Sequence, residues 1–359
     1  MPKKPVKLMV FLVFALFGLT FLPSRSLMQT KAVTAGQQFK SIKVLTDMPA
    51  EQMGKVMNII SASLGVNCVF CHASNDGDYE KEGNEHKDMA RQMLKMTFDL
   101  NKNYFNGRPE INCNSCHQGK SHPQPSVPLK PVPVEERPAQ PATKPTIAEI
   151  LARYETALGG KANLAKVTSR AIKAQRLEPD GKTREPEEVW QKTNKLLVQT
   201  TYGNSLITEG WDGAKAWKTG DKQAIELKPD EAANIRREAE IFANSNLAAV
   251  YTRLEFRQAD RIDGKEVYLV IATGANNQRE RLYFDAQTGF LTRRTAATQT
   301  ILGAHVFQVD YTDYKDFGGV KLPATIHYAL PQIRWTRQIM EVKNNPTLDD
   351  AKFNEPRSQ

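Results

Sequence analysis

Apolar side chains recur at helical spacing in two stretches of the first third of the chain. The first stretch follows Thr46-Asp47-Met48-Pro49, which offers an N-cap and a proline for the first turn, and it ends at Gly65. The second follows Asp88, another candidate N-cap, and stops before Asn106-Gly107-Arg108-Pro109. The positions that share a face are Met53, Met57, Ile60 and Leu64 in the first predicted helix, and Met89, Met93, Met96 and Leu100 in the second.

Beyond residue 146 the pattern changes from helix to strand. An amphipathic helix begins at Thr146 and ends at Gly159-Gly160, and a second helix is predicted from about Pro229 to Leu247. The remainder consists of short apolar runs separated by glycine-containing turns, which predicts an antiparallel meander. The runs are Glu188-Val189-Trp190, Leu196-Leu197-Val198, Val267-Tyr268-Leu269-Val270-Ile271, Leu282-Tyr283-Phe284 and Val306-Phe307-Gln308-Val309-Asp310-Tyr311.

Two further segments are predicted to serve as a linker between the helical and strand-rich parts and as an export signal. Residues 121–145 are dense in proline, which predicts an extended linker. At the N-terminus, Lys3, Lys4 and Lys7 precede an apolar run from Leu8 to Leu22, and this predicts a signal peptide over residues 1–26 and export to the periplasm. The alternative is an uncleaved anchor, which would be the protein's membrane contact.

Composition limits the classes of partner. A length of 359 residues with 40% hydrophobic residues allows roughly two packed domains. The net charge of +9 falls by four when residues 1–26 are removed, because that segment holds four basic residues and no acid. No basic run interleaved with aromatic residues is present, so the sequence does not predict a nucleic-acid partner.

All four cysteines lie in two copies of C-x-x-C-H, namely Cys68-Val69-Phe70-Cys71-His72 and Cys113-Asn114-Ser115-Cys116-His117. This is the attachment motif of a c-type haem. On a helical turn its two cysteines and its histidine fall at i, i+3 and i+4 and share one side. Four cysteines could alternatively form disulfides or a zinc site, but neither requires a histidine directly after each pair. The motifs therefore predict two c-type haems, with the histidines as proximal iron ligands.

Each predicted methionine helix directly precedes one of these motifs. A methionine stripe normally packs in a core, but a thioether is also a suitable sixth ligand of haem iron. We therefore expect one methionine of each helix to bind iron and the remaining ones to pack, with Met89 as a further alternative ligand on the second helix. His86 and His122 lie near the motifs and are alternative sixth ligands, whereas His305 and His327 lie in strand-like sequence and are predicted to be structural.

Residues 40–125 resemble the photosynthetic reaction-centre cytochrome c subunit family, and a methionine helix followed by C-x-x-C-H is the specific part of the likeness. The matching segments include Leu45-Thr46-Asp47-Met48-Pro49, Leu64-Gly65-Val66-Asn67-Cys68, Ala90-Arg91-Gln92-Met93 and Cys113-Asn114-Ser115-Cys116-His117-Gln118-Gly119. The resemblance implies two axial ligands for each iron. These are Met57 with His72 and Met93 with His117, and Met53 and Met96 are the near alternatives.

This chain departs from that family in two respects. The reaction-centre subunit carries four haems and typically a lipidated N-terminal cysteine, whereas this chain has two motifs and no cysteine near its predicted signal peptide. The chain is therefore more similar to shorter di-haem members found in non-photosynthetic bacteria.

The second half, residues 146–359, resembles the curved-sheet domains of periplasmic lipoprotein-sorting and carrier proteins. The features that carry this likeness are Gly210-Trp211-Asp212-Gly213, Tyr283-Phe284-Asp285 with Thr288-Gly289, and Phe317-Gly318-Gly319-Val320-Lys321-Leu322-Pro323. The resemblance implies a sheet around an apolar cavity that binds a lipid or another apolar molecule. The alternative is a docking module with a filled core.

Together these patterns predict a multidomain protein. A small α-helical di-haem c-type cytochrome domain (40–120) is followed by the linker and by an antiparallel β (α+β) curved-sheet domain (146–359). The expected function is to carry single electrons between periplasmic redox proteins, without catalysis, because a six-coordinate iron leaves no open position. Two alternatives remain open: a haem enzyme with one open iron, and a carrier or sensor of apolar ligands with haem as its redox input.

Overall fold

The computed structural model of this chain describes residues 32–72, 78–123, 139–141, 143–220, 224–227, 229–239, 247–274 and 277–356. The predicted signal peptide (1–26) lies outside these residues, as does most of the predicted proline-rich linker. The described residues form a helical region up to residue 123 and a sheet region from residue 146 onward. None of the helices within these ranges is both long enough and apolar enough to cross a membrane.

The helical region contains short helices and two longer ones. The α-helices are α1 (Ala35–Gln38), α2 (Met53–Leu64), α3 (Glu85–Tyr104) and α4 (Cys113–His117), and 3-10 turns occupy Ala50–Gln52 and Cys68–Phe70. The helix predicted after Thr46-Asp47-Met48-Pro49 begins later than expected, because the residues after Pro49 first form the 3-10 turn. It ends as predicted at Gly65, whose φ of 67° is left-handed and favours glycine.

The second predicted helix has a different N-cap from the one expected. The Asn84 side chain accepts a hydrogen bond from the backbone N–H of His86 at 2.9 Å, so Asn84 is the N-cap and α3 begins at Glu85, three residues before Asp88. Asp88 lies in the first turn of α3, where its carboxylate pairs with Arg91 at 2.6 Å. The prediction of Asp88 as the cap was therefore wrong, although an acidic side chain is favourable in the first turn.

The sheet region is one antiparallel sheet of thirteen strands in the order β6-β5-β4-β3-β2-β1-β13-β12-β11-β10-β9-β8-β7. All neighbours are consecutive in the chain except β1 and β13, which pair at the middle of the sheet and join its two halves. The predicted meander is thereby confirmed. The strands are β1 (Ser169–Leu177), β2 (Arg184–Lys192), β3 (Lys195–Tyr202), β4 (Ser205–Trp211), β5 (Ala216–Thr219), β6 (Ile225–Glu226), β7 (Arg253–Ile262), β8 (Lys265–Thr273), β9 (Arg279–Asp285), β10 (Leu291–Thr300), β11 (Gly303–Asp316), β12 (Lys321–Ala329) and β13 (Arg334–Asn344).

Four helices accompany the sheet: α5 (Ile147–Ala157), α6 (Lys161–Leu164), α7 (Pro229–Ala239) and α8 (Leu247–Val250). Thr146 and Glu149 form a capping box at the start of α5, which confirms the predicted start. Tyr154 of α5 packs edge to face on Phe284 in one core, and α7 covers a second core around Trp211. The helix predicted from Pro229 to Leu247 is helical as far as Ala239, and residues 240–246 lie outside the described residues.

The two regions touch at the tip of the β10–β11 hairpin. Leu302 at this tip is only 1% exposed, and it completes the core of the helical region against Val56, Ile59 and Leu94. Burying a leucine side chain contributes about 1.5–3 kcal/mol, so this contact is a substantial part of a small core. The sequence contains no signal for this contact, because the pattern around Leu302 is that of a turn between two strands.

Candidate haem sites

Both C-x-x-C-H motifs adopt the helical turn that their spacing predicts. In the first motif a 3-10 turn spans Cys68–Phe70. The backbone N–H of His72 also donates to the carbonyl of Cys68 at 3.0 Å, which carries the helical turn on to the histidine. The second motif is α4 itself, capped by the side chain of Asn112 through the N–H of Asn114 at 3.0 Å. Each turn therefore brings two cysteines and one histidine together within one short helical segment.

The two motif histidines share a hydrogen-bonding arrangement. The Nδ1 atom of His72 lies 3.1 Å from the carbonyl oxygen of Tyr79, and Nδ1 of His117 lies 2.9 Å from the carbonyl oxygen of Lys120. A carbonyl oxygen only accepts, so in each histidine Nδ1 carries the proton and Nε2 keeps its lone pair. This is the arrangement by which proteins orient a histidine that binds metal through Nε2. The donor set therefore fits haem iron.

The four cysteines are free thiols. Cys71 and Cys113 are partly buried, and burial raises the pKa of both thiols, whereas Cys68 and Cys116 are exposed. The disulfide alternative is thus not adopted in the structure. Across the described parts of the chain, no group of three or more His, Cys, Asp or Glu side chains is arranged to hold a metal ion.

The methionines of the two helices have different surroundings. Met53 and Met57 of α2 are partly buried against the helical core. On α3, by contrast, Met89, Met93 and Met96 share one face and are 53%, 36% and 46% exposed. The buried face of α3 is formed instead by other side chains, Leu94, Thr97 and Asn101 among them.

The structure places Met89 and Met96, the alternative ligands of α3, at the surface and not in a core. Together with Met93 they form an exposed apolar stripe, and the ligand role of these methionines stays a prediction. On α2 the packing and ligand roles both remain predictions.

The histidines outside the motifs fall into two groups, one close to the motif turns and one on the sheet. His86 is exposed, and its ring stacks on Phe70 of the first motif with centroids 4.1 Å apart, while His122 is exposed five residues after His117. His305 lies on β11 with Nε2 3.1 Å from the side-chain oxygen of Asn58, and His327 contacts Thr336 at 2.9 Å. Neither His305 nor His327 belongs to a motif turn, and their structural role stays a prediction.

Sequence reasoning missed the side chains that hold the two turns in place. Asn84 donates from Nδ2 to the carbonyl of Phe70 at 3.2 Å, and this ties the start of α3 to the first motif. At the other end of α3, Asn101 donates to the carbonyl of Ile111 at 2.7 Å and accepts from its N–H at 2.9 Å, just before the second motif. The available signal was a polar residue at each end of an amphipathic helix.

A cavity of about 1080 Å³ lies between the helical and sheet regions. Lys55 and Asn58 of α2 form part of one wall, and aromatic side chains such as Trp335 on the sheet form part of another. Charged groups also line it, including Arg337, which forms an ion pair with Glu187. The cavity is therefore mixed in polarity, and the predicted apolar cavity must be corrected in this respect.

The motif turns and their oriented histidines are features of c-type cytochromes, a class of protein that transfers electrons through covalently bound haem. Residues 19–155 match the family model of the photosynthetic reaction centre cytochrome C subunit, which agrees with the resemblance found in the sequence. The match covers the helical region and does not extend over the sheet.

Two curated relatives carry the same description. The photosynthetic reaction center cytochrome c subunit of Roseobacter denitrificans is 30% identical over 95 residues, which are 24% of this chain and 25% of the relative. That of Rubrivivax gelatinosus is 29% identical over 109 residues, which are 26% of this chain and 28% of the relative. The chain thus spans about a quarter of the length of these relatives.

The sheet region is similar to solved structures at low identity. A LolA superfamily protein from Nitrosomonas europaea matches 59% of this chain and 98% of its own, with 15% identity and a TM-score of 0.42. A DUF1329 family protein from Desulfovibrio piger matches 57% of this chain and 97% of its own, with 10% identity and a TM-score of 0.41.

Proposed function

We propose that this chain is an exported di-haem c-type cytochrome that carries single electrons between periplasmic protein partners. The observation that supports it best is the pair of histidines, His72 and His117, each with Nδ1 bound to a backbone carbonyl. Two haems fixed in one small region can relay charge along the protein. The match of residues 19–155 to the cytochrome family model supports the same function.

The residues have distinct roles in this proposal. Cys68 and Cys71 attach the first haem and Cys113 and Cys116 the second, each through two thioether bonds. His72 and His117 are the proximal ligands, with Met57 and Met93 as the sixth ligands. The haem supplies an iron that changes charge by one electron when bound. Six-coordinate iron leaves no site for substrate, which is why we propose a carrier rather than an enzyme.

Intact-protein mass after maturation in a host that attaches haem tests attachment. We expect a mass increased by two haems in the parent, and by one haem in the double variants Cys68→Ala/Cys71→Ala and Cys113→Ala/Cys116→Ala. A parent mass equal to the polypeptide alone would contradict the proposal.

The axial ligands are tested by the charge-transfer band of methionine-ligated ferric haem. Met57→Ala and Met93→Ala should each remove part of this band, whereas Met53→Ala and Met96→Ala, one helical turn or less away, should preserve it. The reverse result would move the ligand role to Met53 or Met96. Carbon monoxide binding to the ferrous parent protein would favour the haem enzyme with an open iron.

The cavity supports a second candidate function, the binding of an apolar or amphiphilic ligand between the two regions. Its volume of about 1080 Å³ is slightly larger than the roughly 300–1,000 Å³ that is typical of small-molecule sites. Gly54 of α2 lines it, and a Cβ added there would meet no atom within 4 Å. Gly54→Phe should therefore fill the cavity and reduce the lipid extracted from the purified full chain, whereas Gly54→Ala should not. Equal lipid content in both variants, or none in the parent, would reject this candidate.

A further inference from the structure

The carbonyl group that orients His72 has a second donor. The Tyr79 oxygen lies 3.1 Å from Nδ1 of His72 and 3.0 Å from the ammonium nitrogen of Lys87. Lys87 lies in the first turn of α3 and is only 9% exposed, which is rare for lysine. Its ammonium also donates to the carbonyl of Lys81 at 2.9 Å. The first motif histidine and a buried cation thus meet on one oxygen atom.

The charge of Lys87 is only partly neutralised. Its ammonium pairs with Glu82 at 3.1 Å, but the same carboxylate also binds Arg91 at 2.7 Å and Lys43 at 3.0 Å. Asp88 pairs with Arg91 at 2.6 Å as well, so three cations share two carboxylates. Lys87 therefore shares its one carboxylate partner with two other cations beside the first motif.

The second motif provides an internal reference. His117 donates to the carbonyl of Lys120, and the Lys120 side chain is itself exposed. Lys87 is fourteen residues before Asn101, the residue that holds the second motif, which is about 21 Å along the axis of α3. A change at Lys87 should consequently act on the first site and hardly at all on the second.

Two physical effects of Lys87 act in the same direction. A hydrogen bond from Nδ1–H to a carbonyl makes an imidazole more basic and strengthens its donation to the metal. An ammonium on the same oxygen withdraws electron density from that carbonyl and weakens the bond. The positive charge of the buried Lys87 ammonium also disfavours the more positive ferric state. Both effects favour the ferrous form.

We propose that Lys87 is a positioning residue of the first haem site, which acts through the Tyr79 carbonyl to raise the reduction potential of the haem bound by His72. The proposal rests on the proposed function, because it requires haem at that motif. It makes the two haems unequal although their motifs are alike, and it assigns the difference to one buried side chain.

The test is a spectroelectrochemical titration of the matured full chain. Lys87→Met should lower one of the two one-electron steps by a threefold to tenfold change in its equilibrium constant, or roughly 30 to 60 mV, and leave the other step in place. Lys95→Met removes the same charge from an exposed position of α3 and should shift neither step. Lys87→Arg, which keeps the charge, should restore most of the potential.

A second variant covers the case in which Lys87→Met does not fold. Glu82→Gln leaves the cations less neutralised, so the same step should move upward. Equal shifts of both steps, an equal effect of Lys87→Arg and Lys87→Met, or an unchanged or lowered step in Glu82→Gln would overturn the role of Lys87. Haem content by mass separates this outcome from failure of the proposed function, in which no haem would be attached.

Discussion

The two C-x-x-C-H turns are held by opposite ends of the same helix, α3, and by different physical means. At the start of α3 the first turn is held by Asn84 and by an ion-pair cluster of Lys87, Arg91 and Glu82. All of these residues lie within about twenty residues of the motif. The first turn therefore depends on local polar and charged contacts.

The second turn is held by an amide and by the sheet region. Asn101 pairs with both backbone groups of Ile111, and Asn112, which caps α4, donates to the carbonyl of Leu302 at 3.2 Å. Leu302 lies 190 residues further along the chain, so this support depends on the docking of the β10–β11 hairpin. The two C-x-x-C-H turns should therefore be destabilised by different substitutions, although their sequence patterns are alike.

The largest expected effect is at the hairpin tip. Leu302→Ala should destabilise the helical region by about 2–5 kcal/mol, because it leaves a hole in a small core that also supports Asn112. Denaturant unfolding followed at the haem absorbance would measure the loss, and the second haem should be affected first.

Ile301 is the matched control for this prediction, because it occupies the same turn and is 40% exposed. Ile301→Ala should change stability by no more than about 0.5 kcal/mol. If the two substitutions had equal effects, the sheet region would not be a support of the second turn, and the contrast between the turns would fail.

The next effect is at the far end of α3. Asn101 is 5% exposed, and Asn101→Ala would leave the N–H and the carbonyl of Ile111 without their partner, at a cost of about 1–3 kcal/mol. The spectrum of the second haem should broaden while that of the first is retained. Asn103→Ala, on an exposed position of the same helix, should be neutral. Broadening of both haem spectra would mean that the ends of α3 do not act separately.

Local features of this molecule could be predicted from sequence, and distant contacts could not. The motif turns, the end of α2 at Gly65 and the meander of strands follow from residue spacing and turn chemistry within a few residues. The contact of Leu302 has no such signal, since its partners are far away in the chain. The burial of Lys87 also had none, because its partners are carbonyls of a segment without periodicity.

The smallest expected effect is a pH dependence of stability, which tests the contribution of the Glu82 ion pairs to the first turn. Hydrogen bonds from Arg91, Lys43 and Lys87 hold the pKa of Glu82 far below its usual range. A depressed carboxylate pKa contributes stability above the value of about 4.3 that is usual for an unfolded chain, and this contribution is lost as pH falls below it. Acidification from pH 5 should therefore weaken the first turn through Glu82, and the second turn should respond less.

Glu82→Gln removes this titration, so the fall in stability between pH 5 and pH 3 should be shallower in Glu82→Gln than in the parent chain. Glu80→Gln, at an exposed neighbouring position, should keep the slope of the parent. Equal slopes in all three proteins would show that the ion-pair cluster does not contribute measurably to the stability of the first turn. In that event the hydrogen bond of Asn84 and the stacking of His86 on Phe70 would account for its attachment to α3, and each turn would be held by an asparagine side chain at its own end of that helix.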